Sequence, residues 1–279
     1  MEKILIEILE PLTEDDVKVQ YCDGTNCLHD CPPIGPGPQN ITSLISKKEQ
    51  EYIVEKIKIE EVSKCFGTGE NKVIAIDNVS FEVEQGAFLT ILGPSGSGKT
   101  TLLRCICAIE GVDKGKIFIG NTEISEMNEE QRKKYRRENI GIVFQQYSLL
   151  PILNVQENIL LPLKFNRMKP DMEYYNKIVN LLGIEKKLKE KITSLSGGQQ
   201  QRVAIARALI TKPMLICADE PTGNLDQANS KEVIHLFQEI RSQFGTTIVM
   251  ITHDENIAKQ SDYTIRIQDG KIVKEQLMA

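Results

Sequence analysis

AFLTILGPSGSGKTTLLRCI, residues 87–106, is the stretch whose reading decides the fold. An apolar run leads into three glycines and a proline within six residues, and a helix-period segment follows. From Gly93 to Thr100 the pattern is G-x-x-x-x-G-K-[ST], set between a strand and a helix as a phosphate-binding loop requires. Gly93, Gly96 and Gly98, with Pro94, Ser95 and Ser97 between them, let backbone N–H groups turn toward phosphate, and the positive end of the helix adds to the attraction. Lys99 supplies countercharge for the β- and γ-phosphates, the Thr100 hydroxyl is a ligand for Mg²⁺, and Thr101 beside it belongs to the same nucleotide-binding set.

A nucleotide hydrolase needs acids at the end of a second buried strand. MLICADE (214–220) supplies Asp219, placed to hold Mg²⁺, and Glu220, placed to orient and activate the attacking water. By themselves two adjacent acids read equally as a solvated turn or a helix cap; the phosphate loop gives them a task. TTIVMITHD (246–254) sets His253 at a strand end, where parallel sheets present ligand-binding edges. A histidine on its own is more often a structural hydrogen-bonding group. IGIVFQQ (140–146) ends on Gln145 and Gln146, which alone are a polar strand terminus.

Working outward, IKIEEVSKCF (57–66) and VIAIDNVSFEVEQG (73–86) alternate with period two, as a partly exposed antiparallel sheet does. AFLTILG, KIFIG, IGIVF, MLICAD and TTIVMIT are short apolar runs suited to strands buried on both faces. Helix-period stretches lie among them: TTLLRCICAIE, VAIARALI and EVIHLFQEIRSQF. Strands alternating with helices predict an α/β fold with a parallel sheet. DYTIRIQDGKIVKE (262–275) predicts a hairpin on an Asp269-Gly270 turn.

Composition fits a globular domain: 279 residues, 41% hydrophobic and 26% charged. A net charge of -5 offers no basic field for nucleic acid, so none is expected as a partner. The start, MEKILIEILEPLTEDD, does not read as a signal peptide, and no apolar run reaches the roughly 18 residues of a membrane span. A cytoplasmic protein, held at a membrane only through a partner, is the expectation. Of seven cysteines, Cys105, Cys107 and Cys217 fall in core-like segments, which suits reduced thiols.

GPSGSGKTT, VFQQ, LSGGQQQR, MLICADEPTGNLD and ITHD, in this order, resemble the ATP-binding subunits of ABC transporters across roughly residues 55 to 276. The resemblance implies a P-loop NTPase with a RecA-like parallel-sheet core, an antiparallel β subdomain and an α-helical subdomain, about residues 146–200, bearing the signature. It implies that Phe66 stacks on adenine, with a core aromatic as the alternative. It gives Gln145 contact with Mg²⁺ and the γ-phosphate on the loop toward the membrane partner, Glu220 the catalytic base, His253 the γ-phosphate, and Asp226 the loop crossing to the other subunit. Ser196, Gly197, Gly198 and Gln199 become the signature that meets ATP held by a second copy, so two ATPs lie sandwiched in a homodimer. A serine hydroxyl, glycine amides and a helix N-terminus form a fitting anion surface. DEPTGNLD with NVQENILLPL resembles the branch of lipoprotein release, macrolide export and antimicrobial-peptide resistance, whose permease is a separate transmembrane chain.

Residues 1–52 depart from that pattern. A Pro/Gly-rich linker, CPPIGPGPQN (31–40), follows possible strands around Ile4–Ile8 and 17–21, and a short amphipathic helix is expected across 43–56. YCDGTNCLHDC gathers Cys22, Cys27, His29 and Cys31, ligand types for zinc or an iron-sulfur cluster, with unligated thiols as the alternative. Three rival functions fit less well. A DNA-directed ABC ATPase carries a long coiled coil where 51 positions separate Gln145 from Ser196. A small-molecule kinase has no use for the signature, and an inactive binder would not keep Lys99, Asp219, Glu220 and His253 together. A relative that transmits mechanical force at the cell envelope is the remaining non-transport alternative.

Overall fold

The computed structural model describes residues 56–277; the amino-terminal extension of residues 1–52, including Cys22, Cys27, His29, Cys31 and the elements expected there, lies outside the described residues. Two sheets form, and the burial of each strand's two faces explains which sheet it joins. β1 (Lys56–Phe66) pairs antiparallel with β2 (Val73–Glu84), as their period-two patterns predict. Ile57, Ile59 and Val62 on one strand and Ile76, Val79, Phe81 and Val83 on the other are buried, while residues between them face water.

KIFIG departs from expectation. Instead of joining the parallel sheet, β4 (Lys114–Ile119) pairs antiparallel with β1, and the short β5 (Thr122–Glu123) extends that sheet to the order β2-β1-β4-β5. The reason lies in the burial pattern: Ile117 and Ile119 are buried while Lys114, Gly115 and Lys116 are exposed, so the strand has one dry face.

The central sheet comprises β3 (Phe88–Leu92), β6 (Ile140–Val143), β7 (Leu215–Asp219), β8 (Thr247–Ile251), β9 (Tyr263–Gln268) and β10 (Lys271–Leu277). Its order is β10-β9-β3-β8-β7-β6, parallel except for the final β9–β10 hairpin. Asp269 and Gly270 both take positive φ, 49° and 77°, as a two-residue turn matching strand twist demands. Successive residues of the inner strands serve two separate cores. Ile216 and Ala218, Ile248 and Met250 pack toward one face; Leu215 and Cys217, Val249 and Ile251 toward the other. The second face carries the antiparallel sheet and α1 (Lys99–Ile106). Cys105 and Cys107 lie in this core, where burial pushes the Cys105 thiol up to about 12 and raises that of Cys107.

On the first face sit α3 (Val155–Phe165), α4 (Met172–Leu181), α5 (Gly197–Leu209) and α6 (Gln227–Phe244), whereas α2 (Glu129–Asn139) leads into β6 and α7 (Glu255–Ala258) follows β8. Reciprocal capping starts several helices: Asn128 with Gln131, Asn154 with Glu157, Ser196 with Gln199. Asn158 organises the loop ahead of α3 from within. Fully buried, it accepts from Leu150 N at 2.8 Å and donates to the carbonyls of Leu150, Leu153 and Asn154. Replacing Asn158 by leucine strands those backbone groups away from water, so denaturant unfolding is expected to lose about 2–4 kcal/mol of stability; an unchanged unfolding midpoint would refute this role.

Candidate active site

The phosphate loop connects β3 to α1, and its shape is set by backbone approaches that exclude side chains. Gly98 stands at φ 102°, and a Cβ there would lie 2.2 Å from the carbonyl oxygen of Ala75 on β2. Gly93 is equally crowded, 2.1 Å from Ile267 O on β9. The loop walls a cavity of about 440 Å³ with Gly93, Ser95, Gly96, Ser97, Gly98 and Lys99, continued by Thr100 and Thr101 on the first turn of α1. Pro94 stands within the loop but outside the cavity wall. Lys99 is 8% exposed, and its ammonium donates to Gly93 O at 2.8 Å and Pro94 O at 2.7 Å. The Ser97 hydroxyl is buried without a hydrogen-bond partner.

Glu220 and His253 complete the wall, 3.8 Å apart from Oε1 to Nδ1. Two different strands deliver them: Glu220 follows β7 and His253 follows β8, and Glu220 N donates to Ile251 O. Glu220 takes φ 46°, a left-handed backbone that a carboxylate residue adopts at a cost and that concentrates at functional sites. Asp219 ends β7 beside it. Burial and the Glu220 carboxylate push the Asp219 carboxyl upward from its ordinary value, against the opposing pull of Arg104 and Lys99. A divalent cation would relieve that repulsion, and Thr100 and Asp219 offer the hard oxygens Mg²⁺ prefers when it arrives with phosphates. Among the described residues no cluster of three or more Cys, His, Asp or Glu could hold a metal by itself.

Phe66 is not part of the wall. It is 42% exposed, under the Lys64 ammonium at 5.6 Å, while its cross-strand partner Val73 lines the cavity with Ile74 and Ala75. The period-two pattern does not mark those three as site residues: Val73 and Ile74 are exposed and Ala75 half-buried, directly before the buried alternation of β2. Gln145 also stands apart from the cavity. Its carbonyl accepts from Asn224 Nδ2 at 2.9 Å, and its amide lies against Gly223, where a Cβ would approach to 2.8 Å.

The signature residues sit elsewhere too. None of Ser196, Gly197, Gly198 and Gln199 lines the phosphate cavity. Ser196 caps α5, its Oγ accepting from Gln199 N while Gln199 Oε1 accepts from Ser196 N, which leaves the hydroxyl as a donor. Asp226 caps α6 through Asn229, whose backbone and side-chain N–H groups hold its carboxyl below the ordinary value. The same Asn229 presses its Oδ1 against Gly198, where a Cβ would come within 2.7 Å. Asn229 therefore joins the Asp226 loop to the signature helix, a link no sequence spacing announced.

Comparison with known proteins covers the span that carries this geometry. The family described as ABC transporter matches residues 76–223. The lipoprotein-releasing system ATP-binding protein LolD of Bacteroides fragilis is 40% identical over 220 residues, 78% of this chain and 100% of that protein. The macrolide export ATP-binding/permease protein MacB of Bdellovibrio bacteriovorus is 37% identical over 220 residues; the chain spans only 34% of its length. Among solved structures, the dimeric post-hydrolysis state of the cassette MJ0796 bound to ADP and Pi, from Methanocaldococcus jannaschii, shares 37% identity. It superposes with a TM-score of 0.72 over 80% of this chain and 99% of that one. Identity at this level across nearly the whole of two such relatives leaves one conclusion: the chain belongs to the ABC transporter family, as one of its ATP-binding cassettes.

Proposed function

We propose that this chain hydrolyses ATP as a homodimer and drives a membrane permease that exports or extracts a peptide, lipoprotein or drug-like substrate. Likeness to LolD along its whole length supports a permease on a separate chain, and likeness to one part of the ATP-binding/permease protein MacB supports the export role. The observation that carries the dimer is that two anion-binding devices do not share one cavity. The phosphate loop walls the cavity, while the Ser196–Gln199 helix start contributes nothing to it, so it serves a nucleotide held by another copy. MJ0796 is a dimer with ADP and Pi, which supports the same reading here.

The positions of the cavity residues support the following roles. The loop amides and Lys99, released from the Gly93 and Pro94 carbonyls, hold the β- and γ-phosphates. Thr100 and Asp219 would hold Mg²⁺, with Gln145 as a further ligand from its loop, and the ion would supply charge neutralisation across those phosphates. Glu220 accepts a proton from the attacking water and His253 faces the γ-phosphate from the adjoining strand end. Val73 and Ile74 offer an apolar wall for the base, with Phe66 across the strand pair. Asp226, fixed by Asn229, crosses toward the second copy.

The permease has a surface to meet. Beside Gln145 lies a groove of about 330 Å³ lined mainly by apolar atoms, including Phe144, Leu161, Pro162 and Phe165, with Arg137 at its edge. Phe165 is 70% exposed. Among the described residues no helix is long and apolar enough to cross a membrane. Attachment at the cytoplasmic face would then run through this groove.

Glu220→Gln is expected to lower ATP turnover by about 10²-fold or more while ATP binding persists, because a general base is lost and a hydrogen-bonding shape kept. Full turnover in that variant sinks the assignment. Ser196→Arg should abolish both turnover and the ATP-dependent dimer seen by light scattering yet spare ATP binding to the monomer, whereas Lys99→Ala should weaken binding itself. Asp219→Asn tests the acid pair. Because the fold raises the Asp219 carboxyl, its ionised form at neutral pH is disfavoured by burial and by Glu220. Removing that charge is expected to raise the melting temperature of the nucleotide-free chain at pH 7 while eliminating turnover. The gain should vanish as pH falls and the carboxyl protonates; a lowered melting point at pH 7 would contradict it.

A further inference from the structure

The loop following Gln145 is held in a conformation its own residues disfavour. Tyr147 and Ser148 stand side by side at φ 54° and 50°, in the left-handed region where an L-residue's Cβ is crowded. Such positions persist where the surroundings over-determine them. Tyr147 N donates to Phe144 O and Ser148 N to Gln146 O, and one side chain grips the carbonyls of both. Arg207, in the last turn of α5, donates from Nη1 to Ser148 O at 2.6 Å and from Nη2 to Tyr147 O at 2.8 Å, a planar fork meeting two successive carbonyls.

Tyr147 adds a second tie to the same helix. Its phenol oxygen lies against Gly197, where a Cβ would sit 3.0 Å away. Gly197 and Arg207 are ten residues apart, about 15 Å along the helix axis. The loop is strapped lengthwise to the helix that begins with the signature. On its other side Asn224 Nδ2 holds the carbonyl of Gln145 itself.

We propose that Arg207 is a positioning residue for Gln145: by pinning the two left-handed carbonyls, it sets where Gln145 stands and makes that position depend on the signature helix. Arg207 lines the groove beside Gln145 and does not line the phosphate cavity, so it acts through the loop. A guanidinium that served helix packing alone would not need both carbonyls of a strained turn. The inference rests on the reading that Gln145 faces Mg²⁺ and the γ-phosphate.

The test uses the full chain and Arg207→Met, which keeps an apolar stem and removes the donors. Turnover is expected to fall between about tenfold and a hundredfold, as misplacement of a reacting group does, with affinity for a fluorescent ATP analogue unchanged. Hydrogen exchange should accelerate at the amides of residues 145–149 while α5 and β6 keep their protection. Adding Ser148→Gly, which removes the left-handed penalty, should recover part of the turnover; a purely structural arginine would gain nothing from that glycine. Unchanged turnover and exchange in Arg207→Met overturn the proposal, as does loss of protection throughout α5 with weakened ATP binding that Ser148→Gly leaves unrepaired. If Arg207→Met fails to fold, Arg207→Lys is read by the same exchange measurement: faster exchange confined to residues 145–149 supports the latch, and unchanged exchange overturns it. Wild-type turnover in Gln145→Ala would overturn the reading of Gln145 on which the inference rests, whereas the exchange result judges the Arg207 latch separately.

Discussion

The phosphate loop is gripped by three backbone approaches. Ala75 O of β2 meets Gly98, Ile267 O of β9 meets Gly93, and the Gly270 N–H of the β9–β10 turn donates to Ser97 O at 2.9 Å. Each needs a residue without a Cβ or a turn with positive φ, since any side chain would occupy the space the neighbouring carbonyl fills. Through these approaches the antiparallel sheet, the central sheet and the terminal hairpin all bear on one loop. Asp77 N donating to Gly270 O closes the ring between β2 and the hairpin. The cavity for phosphate is thus assembled from segments at opposite ends of the described chain, and the glycines that cradle phosphate are equally those that let the frame close around them.

A parallel sheet with both faces covered then decides where chemistry can occur. The inner strands have no polar face to spare, so acidic and imidazole side chains appear where β7 and β8 run out. Glu220 and His253 meet there although 33 positions separate them, because β7 and β8 are neighbours in register. Asp219, one residue inside, is buried enough for its charge to be disfavoured, an arrangement that favours an incoming cation.

On the other face, loops are tied to helices and to one another by polar and charged side chains. Asn229 connects the Asp226 loop with Gly198, Asn224 holds Gln145, and Arg207 clamps Tyr147 and Ser148. These ties make the signature helix, the glutamine loop and the loop after Glu220 one connected body, so a partner nucleotide reaching Ser196 and a permease pressing on the groove beside Phe144 would address the same set of bonds.

Residue order determined a good deal. The spacing of Gly93, Gly98, Lys99 and Thr100, the acids ending MLICADE, the Asp269-Gly270 hairpin and the reciprocal cap at Ser196 are local matters, governed by backbone freedom and by partners within four residues. The two-face burial of β3, β7 and β8 was legible from uninterrupted apolar runs. KIFIG escaped, because two buried isoleucines flanking Phe118 look alike in either kind of sheet until the neighbour strand is known. The wall formed by Val73, Ile74 and Ala75, the placement of Gln145 and Phe66 outside the phosphate cavity, and the clamps of Arg207 and Asn229 were decided by tertiary structure. Each depends on a contact between distant segments, where the geometry of the approach selects the partner and no spacing along the chain records it.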